Sequence, residues 1–216
     1  MKNIVTVGTV GIMGGVAEIP TPFMKSLVDM VAYNDEYLLG AGEQIFYNTA
    51  QMSYHSMARN HLVYDMRGDW LLMLDTDQTF EPDLLTRLKW VMDKNDIDVL
   101  TGLYFKKYPP YEPVIYRDVG DWKLENIIEW DKGKEIIEID SAGGGCLLVK
   151  VKVYNAIIDK FSEMPFLEIP NNSEDNSFFW RLKQSGIKAY CTPHIQTKHL
   201  QWREVDEEVR TQWLNQ

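Results

Sequence analysis

Hydrophobic positions in the first half of the chain alternate between a strand-like and a helix-like period. Ile4 to Val7 is a short apolar run that predicts a strand, and the glycines that follow it (Gly8, Gly11, Gly14, Gly15) predict a loop. Thr21-Pro22 reads as a helix start, a hydroxyl cap with proline in the first turn, with Phe23, Leu27, Met30 and Val31 as its buried stripe. Glu36 to Leu39 predicts a second short strand. From about Asn48 to Met66 a helix is expected, because Met52, His55, Arg59, Leu62 and Val63 recur at three- and four-residue steps, and Gly68 closes it. Trp70 to Leu74 is continuously apolar, as in a strand buried on both faces. Pro82 opens a further helix to about Lys94, and Val99 to Tyr104 is the next strand. A βαβαβαβ series of this kind implies a mostly parallel sheet with helices on both faces.

The pattern changes after Tyr108-Pro109-Pro110. Residues 113–117, 127–130 and 136–139 predict short strands joined by turns, a smaller antiparallel meander in the second half. Helices are expected at about 151–161 and 174–185, a strand at 187–191 and a charged helix from about Arg203. The fold class is therefore α/β, a Rossmann-like, mostly parallel sheet with that meander added. Composition narrows the rest. At 216 residues the chain has room for one substantial domain, and with 22 basic against 32 acidic residues its net charge is −10. That balance lacks the basic footprint of a nucleic-acid or anionic-membrane binder, so it weighs against a nucleic-acid acceptor. Two cysteines, Cys146 and Cys191, provide no disulfide framework and no Cys-x-x-Cys knuckle. The absence of a signal-peptide pattern and of a long apolar span predicts a cytoplasmic protein with no membrane span.

Ligands of such sheets bind beyond the carboxyl ends of the strands. Leu74-Asp75-Thr76-Asp77 lies at one such end. On extended backbone Asp75 and Asp77 point to the same side and can share a hard cation, Mg2+ or Mn2+, with substrate phosphates. The alternative is that Asp75 ends the strand while Asp77 or Thr79 caps the helix opened by Pro82. Ser173-Glu174-Asp175 offers a second pair of readings: a capped helix start with acids on its dipole, or a carboxylate that deprotonates an acceptor hydroxyl. His199 can complete a metal site or pack at the surface, and a zinc grouping of Cys191, His194 and His199 has no recognised ligand spacing.

Taken together the motifs resemble the GT-A fold nucleotide-diphospho-sugar transferases, in particular the family-2-like glycosyltransferases. The resemblance runs from Ala58-Arg59-Asn60 through Gly68-Asp69-Trp70-Leu71-Leu72-Met73-Leu74-Asp75-Thr76-Asp77 to Phe80-Glu81-Pro82. It resumes at Ser141-Ala142-Gly143-Gly144-Gly145-Cys146, Ser173-Glu174-Asp175, Arg181-Leu182, Gly186 and His199. It implies a metal-dependent transfer of a sugar from a nucleotide-diphosphate donor, with uridine the expected base, to a hydroxyl of a glycan or other acceptor. Under it, Asp77 is a direct ligand of Mn2+ or Mg2+, Asp75 lies nearer the ribose or meets the metal through water, and His199 is the third ligand. Arg59 lies by the diphosphate or braces the aspartate loop, and Gly143, Gly144 and Gly145 line the sugar and acceptor cleft. Asp175 is the acceptor-side carboxylate, with Glu174 its partner. One domain spans 1–216, with a nucleotide-binding half to about 105 and an acceptor-side half after it.

The start of the chain departs from the family, which places its base-binding Pro directly after the first strand. Here Thr6, Gly8 and Thr9 are expected beside the nucleotide, with the acidic turn at Asp35 near the base and Trp202 near the acceptor. Two other functions share parts of the pattern: a sugar-phosphate nucleotidyltransferase, whose loop arginine is missing here, and a catalytically silent module that binds a sugar nucleotide or glycan.

Overall fold

The computed structural model describes residues 4–12, 19–38, 44–52, 54–201 and 204–215. Its first elements are β1 (Ile4–Ile12), α1 (Thr21–Leu38), β2 (Gln44–Met52), α2 (His55–Asp65), β3 (Trp70–Asp75), β4 (Gln78–Thr79), α3 (Leu84–Asn95) and β5 (Val99–Leu103). The meander follows as β6 (Ile115–Asp118), β7 (Leu124–Asn126), β8 (Ile137–Ile139) and β9 (Ser141–Ala142). The chain continues through β10 (Cys146–Lys150), α4 (Val151–Phe161), α5 (Glu174–Gln184), β11 (Ala189–Gln196), β12 (Lys198–Leu200), β13 (Glu204–Val205) and α6 (Glu207–Leu214).

A seven-stranded sheet in the order β2-β1-β3-β10-β5-β11-β8 forms the centre. β1 runs parallel to β2 and β3, and β5 runs parallel to β11. β10 lies antiparallel between β3 and β5, and β8 lies antiparallel beside β11. Two small antiparallel sheets, β13-β12-β4 and β7-β6-β9, flank it. Side chains along the central strands alternate between two cores, as a period of two requires. Leu71, Met73, Leu147 and Val149 pack toward α2, α4 and α5 with Leu62, Ile157 and Phe178. Leu72, Leu74, Leu148 and Leu100 pack on the other face with Phe23, Leu27 and Met30 of α1 and Leu88 of α3.

Several expectations shift. The strand expected at Glu36–Leu39 does not form; α1 continues to Leu38 and the second strand is Gln44–Met52. A run as short as Glu36-Tyr37-Leu38-Leu39 does not by itself distinguish the two periods. Asn34 ties the helix to its neighbour: its side-chain amide donates to the Met30 carbonyl one turn back, and its Oδ1 accepts from Thr86 of α3. The following helix accordingly begins at His55 rather than near Asn48, because residues 44–52 pair with β1 at every position. Gly8 and Gly11 are strand residues of β1 rather than loop, and Gly14 and Gly15 lie outside the described residues. Residues 127–130 form no strand; β7 lies just before them, and β8 joins the large sheet rather than the meander. Trp70 is buried in the core, but Trp90 stands 57% exposed on α3.

Candidate active site

The site is assembled at the carboxyl ends of β1 and β3, where Asp75 closes β3 opposite Val10. Its centre is a cation. Arg59, from the inward face of α2, is buried to 1% exposure. Its Nε lies 2.9 Å from Asp175 Oδ1 and 3.4 Å from Glu174 Oε1, both in the first turn of α5. One terminal nitrogen is 3.1 Å from Asp75 Oδ1, and the other donates to the Gly144 carbonyl at 3.2 Å. Burial alone would favour the neutral form of Arg59, but Asp175, Asp75 and Glu174 together hold it charged, above its ordinary value. The carboxyls of Asp75 and Asp175 are pushed up, first by burial and against the pull of Arg59.

The glycine run between β9 and β10 packs directly on this cluster. A Cβ on Gly144 would stand 2.5 Å from Arg59 Cζ and 2.6 Å from Asp175 Oδ1. One on Gly145 would meet the Gln78 amide at 2.1 Å, and one on Gly143 the Tyr104 hydroxyl at 2.0 Å. Glycine is required here because backbone, and no side chain, fits against the acids. Ser173 caps α5 by accepting from the Asn176 amide at 3.3 Å, so its capping role and the position of Asp175 in the cleft are two consequences of one local structure.

His199 reaches the site through the small sheet. β4 pairs antiparallel with β12, which sets His199 opposite Gln78. The imidazole Nδ1 donates to the Phe105 carbonyl, and Nε2 faces the Gln78 amide at 3.5 Å. The Thr197 hydroxyl donates to the other end of that amide. This arrangement leaves the proton on Nδ1 and the Nε2 lone pair turned toward the Gln78 amide, the tautomer a metal ligand needs. Burial lowers the His199 pKa, which keeps the ring neutral.

Asp77 behaves differently from Asp75. Thr76 and Asp77 form a turn instead of continuing the strand, so strand alternation does not set the direction of Asp77. Its Oδ2 meets the Lys107 ammonium, and its Oδ1 is buried without a hydrogen-bond partner. Neither Asp77 nor Thr79 caps the next helix; Asp83 occupies the N-cap position of α3, and Thr79 pairs with Lys198 in the small sheet. Among the described residues, no three His, Cys, Asp or Glu side chains converge closely enough to hold a metal unaided. The orphaned Asp77 oxygen and the unprotonated His199 Nε2 do fit a hard cation that takes its remaining ligands from a substrate. Cys191 is buried while His194 is exposed, which separates the members of the zinc grouping.

A cleft of about 440 Å3 opens from this cluster, lined by Tyr104, Lys107, Tyr108, Gly143, Asp175 and His199 among others. Tyr104, Lys107 and Gln78 had no functional role among the sequence expectations. The readable signal was position: Tyr104 to Lys107 directly follow the carboxyl end of β5, a parallel strand.

The residues expected beside the nucleotide are not drawn to the acids. The Thr6 hydroxyl donates to the Arg67 carbonyl at 2.7 Å and accepts from its amide, so it pins β1 to the end of α2's loop. Gly8 is a packing position, where a Cβ would stand 2.7 Å from Leu62. Thr9 hydrogen-bonds the Tyr47 hydroxyl at 3.0 Å, toward β2. Asp35 lines a groove with Ile4, Gln44 and Arg67, at the amino ends of the strands and so away from the aspartates. Trp202 lies outside the described residues.

This sheet, with an acidic cleft beyond the carboxyl ends of its parallel strands, has the architecture of the GT-A fold. A197 from STIV superposes with a TM-score of 0.55 at 17% identity, over 94% of this chain and 86% of that one. GalNAc-T7, solved with UDP, GalNAc and Mn2+, superposes with a TM-score of 0.59 at 13% identity, over 92% of this chain and 44% of that one. This chain therefore spans less than half of that GalNAc-T7 structure. The profile described as glycosyl transferase family 2 matches residues 31–157, more than half of the chain. The chain belongs to glycosyl transferase family 2. A comparison with curated proteins finds no match. Among the described residues no helix is long and apolar enough to cross a membrane.

Proposed function

We propose that this glycosyltransferase moves a sugar from a nucleotide-diphosphate donor, with uridine as the base, to a hydroxyl of a glycan or similar acceptor. The observation that carries this reading is the Arg59 cluster, which joins the donor-side Asp75 to the acceptor-side Asp175 across one buried guanidinium. The nucleotide is assigned to the half before about residue 105 and the acceptor to the half after it. GalNAc-T7, with its UDP and Mn2+, supports the choice of donor base and cation by likeness of fold.

Asp77 and His199 would hold a divalent cation, Mn2+ or Mg2+, which when bound supplies Lewis-acid neutralisation of the diphosphate. The protein's own residues do the rest. The Asp175 carboxylate accepts the acceptor's hydroxyl proton as the new bond to the anomeric carbon forms. The bond from that carbon to the diphosphate oxygen breaks, and its electron pair leaves with the nucleoside diphosphate. Burial raises the proton affinity of Asp175, which suits a general base, and Arg59 keeps it oriented. Glu174 meets the same guanidinium nitrogen, Nε, at 3.4 Å. The Gly143–Gly145 backbone offers a close, water-poor wall for the sugar.

The test is a thermal-shift screen of nucleoside diphosphates and their sugars, each with Mn2+ and with EDTA. A ligand that binds only the folded state raises the melting temperature by mass action. A cation-dependent shift for the uridine series is expected; no shift with any nucleotide would overturn the donor assignment.

A further inference from the structure

We propose that Lys107 is the leaving-group cation of this site: paired with Asp77 in the free protein, its ammonium passes to the donor diphosphate when a divalent cation takes Asp77. This inference rests on the proposed function and adds a residue to it. Three observations carry it.

The first is position. Lys106 also lines the cleft, but its ammonium is held by Glu112 at 2.7 Å and Asn126 at 3.0 Å. Lys107 turns inward, lines the cleft with His199 and Asp175, and meets Asp77 Oδ2.

The second is supply of positive charge. Arg59 is committed to three carboxylates and a carbonyl and is buried, so it is not free to meet a phosphate. Of the two lysines lining the cleft, Lys106 is held by its own partners. Lys107 is bound to the carboxylate that a cation would claim.

The third is the charge balance. Counted as carboxylates, Asp75, Asp77, Glu174 and Asp175 bear four formal negative charges against Arg59 and Lys107, a remainder of 4 − 2 = 2 negative. A divalent cation cancels that remainder, but the donor then brings an anionic diphosphate that gains further negative charge as the sugar leaves. An ammonium on a flexible four-carbon stem, released from Asp77 at that moment, meets this charge without breaking any other contact that its head group makes among the described residues. It donates hydrogen bonds to the diphosphate oxygens and transfers no proton.

The exchange predicts effects of opposite sign, which a merely structural lysine would not give. The experiment compares wild type with Lys107→Met and Lys107→Arg. Mn2+ affinity is read without nucleotide from the electron paramagnetic resonance of free Mn2+. UDP, GDP and CDP affinities are read by calorimetry in saturating Mn2+. Lys107→Met should bind Mn2+ alone several-fold more tightly, because its competitor for Asp77 is gone. It should bind the preferred diphosphate roughly tenfold more weakly, the usual scale for losing a hydrogen bond to a charged group. Lys107→Arg should stay within about threefold of wild type on both readings, since it keeps the charge. Weaker binding of both Mn2+ and diphosphate by Lys107→Met would mark a general loosening of the cleft and overturn the exchange. Unchanged diphosphate affinity would overturn it while leaving the transferase reading intact. Failure of wild type to bind any of the three diphosphates in Mn2+ would overturn the donor assignment, and this inference with it.

Discussion

At the scale of single residues, Arg59 is the position on which the site depends. Three carboxylates face one guanidinium, so its loss leaves them buried without a counter-charge. Arg59→Met should cost about 3–5 kcal/mol of stability, the range for breaking a buried ion pair by removing one partner, and a urea titration will read it. Asp175→Asn keeps the shape of that corner and removes only the proton acceptor. It should bind donor as wild type does while transfer falls by roughly 10²–10⁴-fold, the usual worth of a general base. Undiminished transfer would leave Asp175 as no more than an acid in the first turn of α5. Asp77→Ala, at a carboxylate 41% exposed, should leave the fold intact and abolish cation-dependent donor binding, which calorimetry with and without Mn2+ will show. These residues could be named from the order of short motifs in the chain. What each one touches could not, because Arg59 and Glu174 lie 115 residues apart and no local pattern joins them.

The elements decide how firmly those residues are held. Two short pieces of structure matter most. The first is the β4–β12 pairing, which carries His199 to the aspartate turn across 121 residues of sequence from Gln78. The Thr197 hydroxyl fixes the Gln78 amide there in a fully buried setting. Thr197→Val would strand one amide oxygen, costing about 1–3 kcal/mol, and should weaken Mn2+ binding by letting the His199 ring turn. Paired measurements of melting and Mn2+ affinity test this, and an unchanged Mn2+ affinity would show that the pairing alone orients His199. The second is the start of α5, where Ser173 as cap determines which residues fall in the first turn. Cap, helix and helix length were all legible from sequence, because hydroxyl caps and dipole-matched acids are local chemistry. The start of β2 was not. A short apolar stretch after a helix satisfies either period, and here contact between α1 and α3 through Asn34 and Thr86 is part of what keeps α1 helical.

For the molecule as a whole, two sets of acids pull stability in opposite directions with pH. Asp98 is held below its ordinary value of 3.8 chiefly by hydrogen bonds from Lys152 and Lys150, which outweigh its burial. Asp118 is lowered by its hydrogen bond from Lys183. The stabilisation from such groups is present above the unfolded value and is lost as pH falls through the lower folded one. Asp175 has the reverse sign. Its folded value is raised from 3.8, so its contribution is complete below that value and is lost as pH rises through the folded one. Wild type should therefore unfold in acid as its surface pairs fail, yet give up stability as pH rises because burial opposes ionisation of the cleft acids. Asp175→Asn removes one such acid. Its stability relative to wild type should rise with pH above the unfolded value of 3.8, as denaturant titrations from acid to neutral pH will show; a flat difference would contradict the sign. Stability surrendered at a cleft of this kind is the common cost of a site shaped for chemistry.

The sequence alone determined the alternation of strands and helices, the two-faced sheet and the order of motifs that marks the family. All of these rest on periodicity and capping, which act over a few residues. Only the tertiary structure decided that Asp77 meets Lys107, that three acids share Arg59, and that Gly143 to Gly145 are glycines because side chains would collide with Tyr104, the Arg59 cluster and Gln78. It also decided that Thr6 and Gly8 serve the packing of β1, and that Asp35 stands at the far end of the strands. The physical reason is the same throughout. A pattern tells which face of an element a side chain occupies, but which charge it meets depends on how elements distant in sequence stack, and burial then multiplies the strength of whatever meeting results.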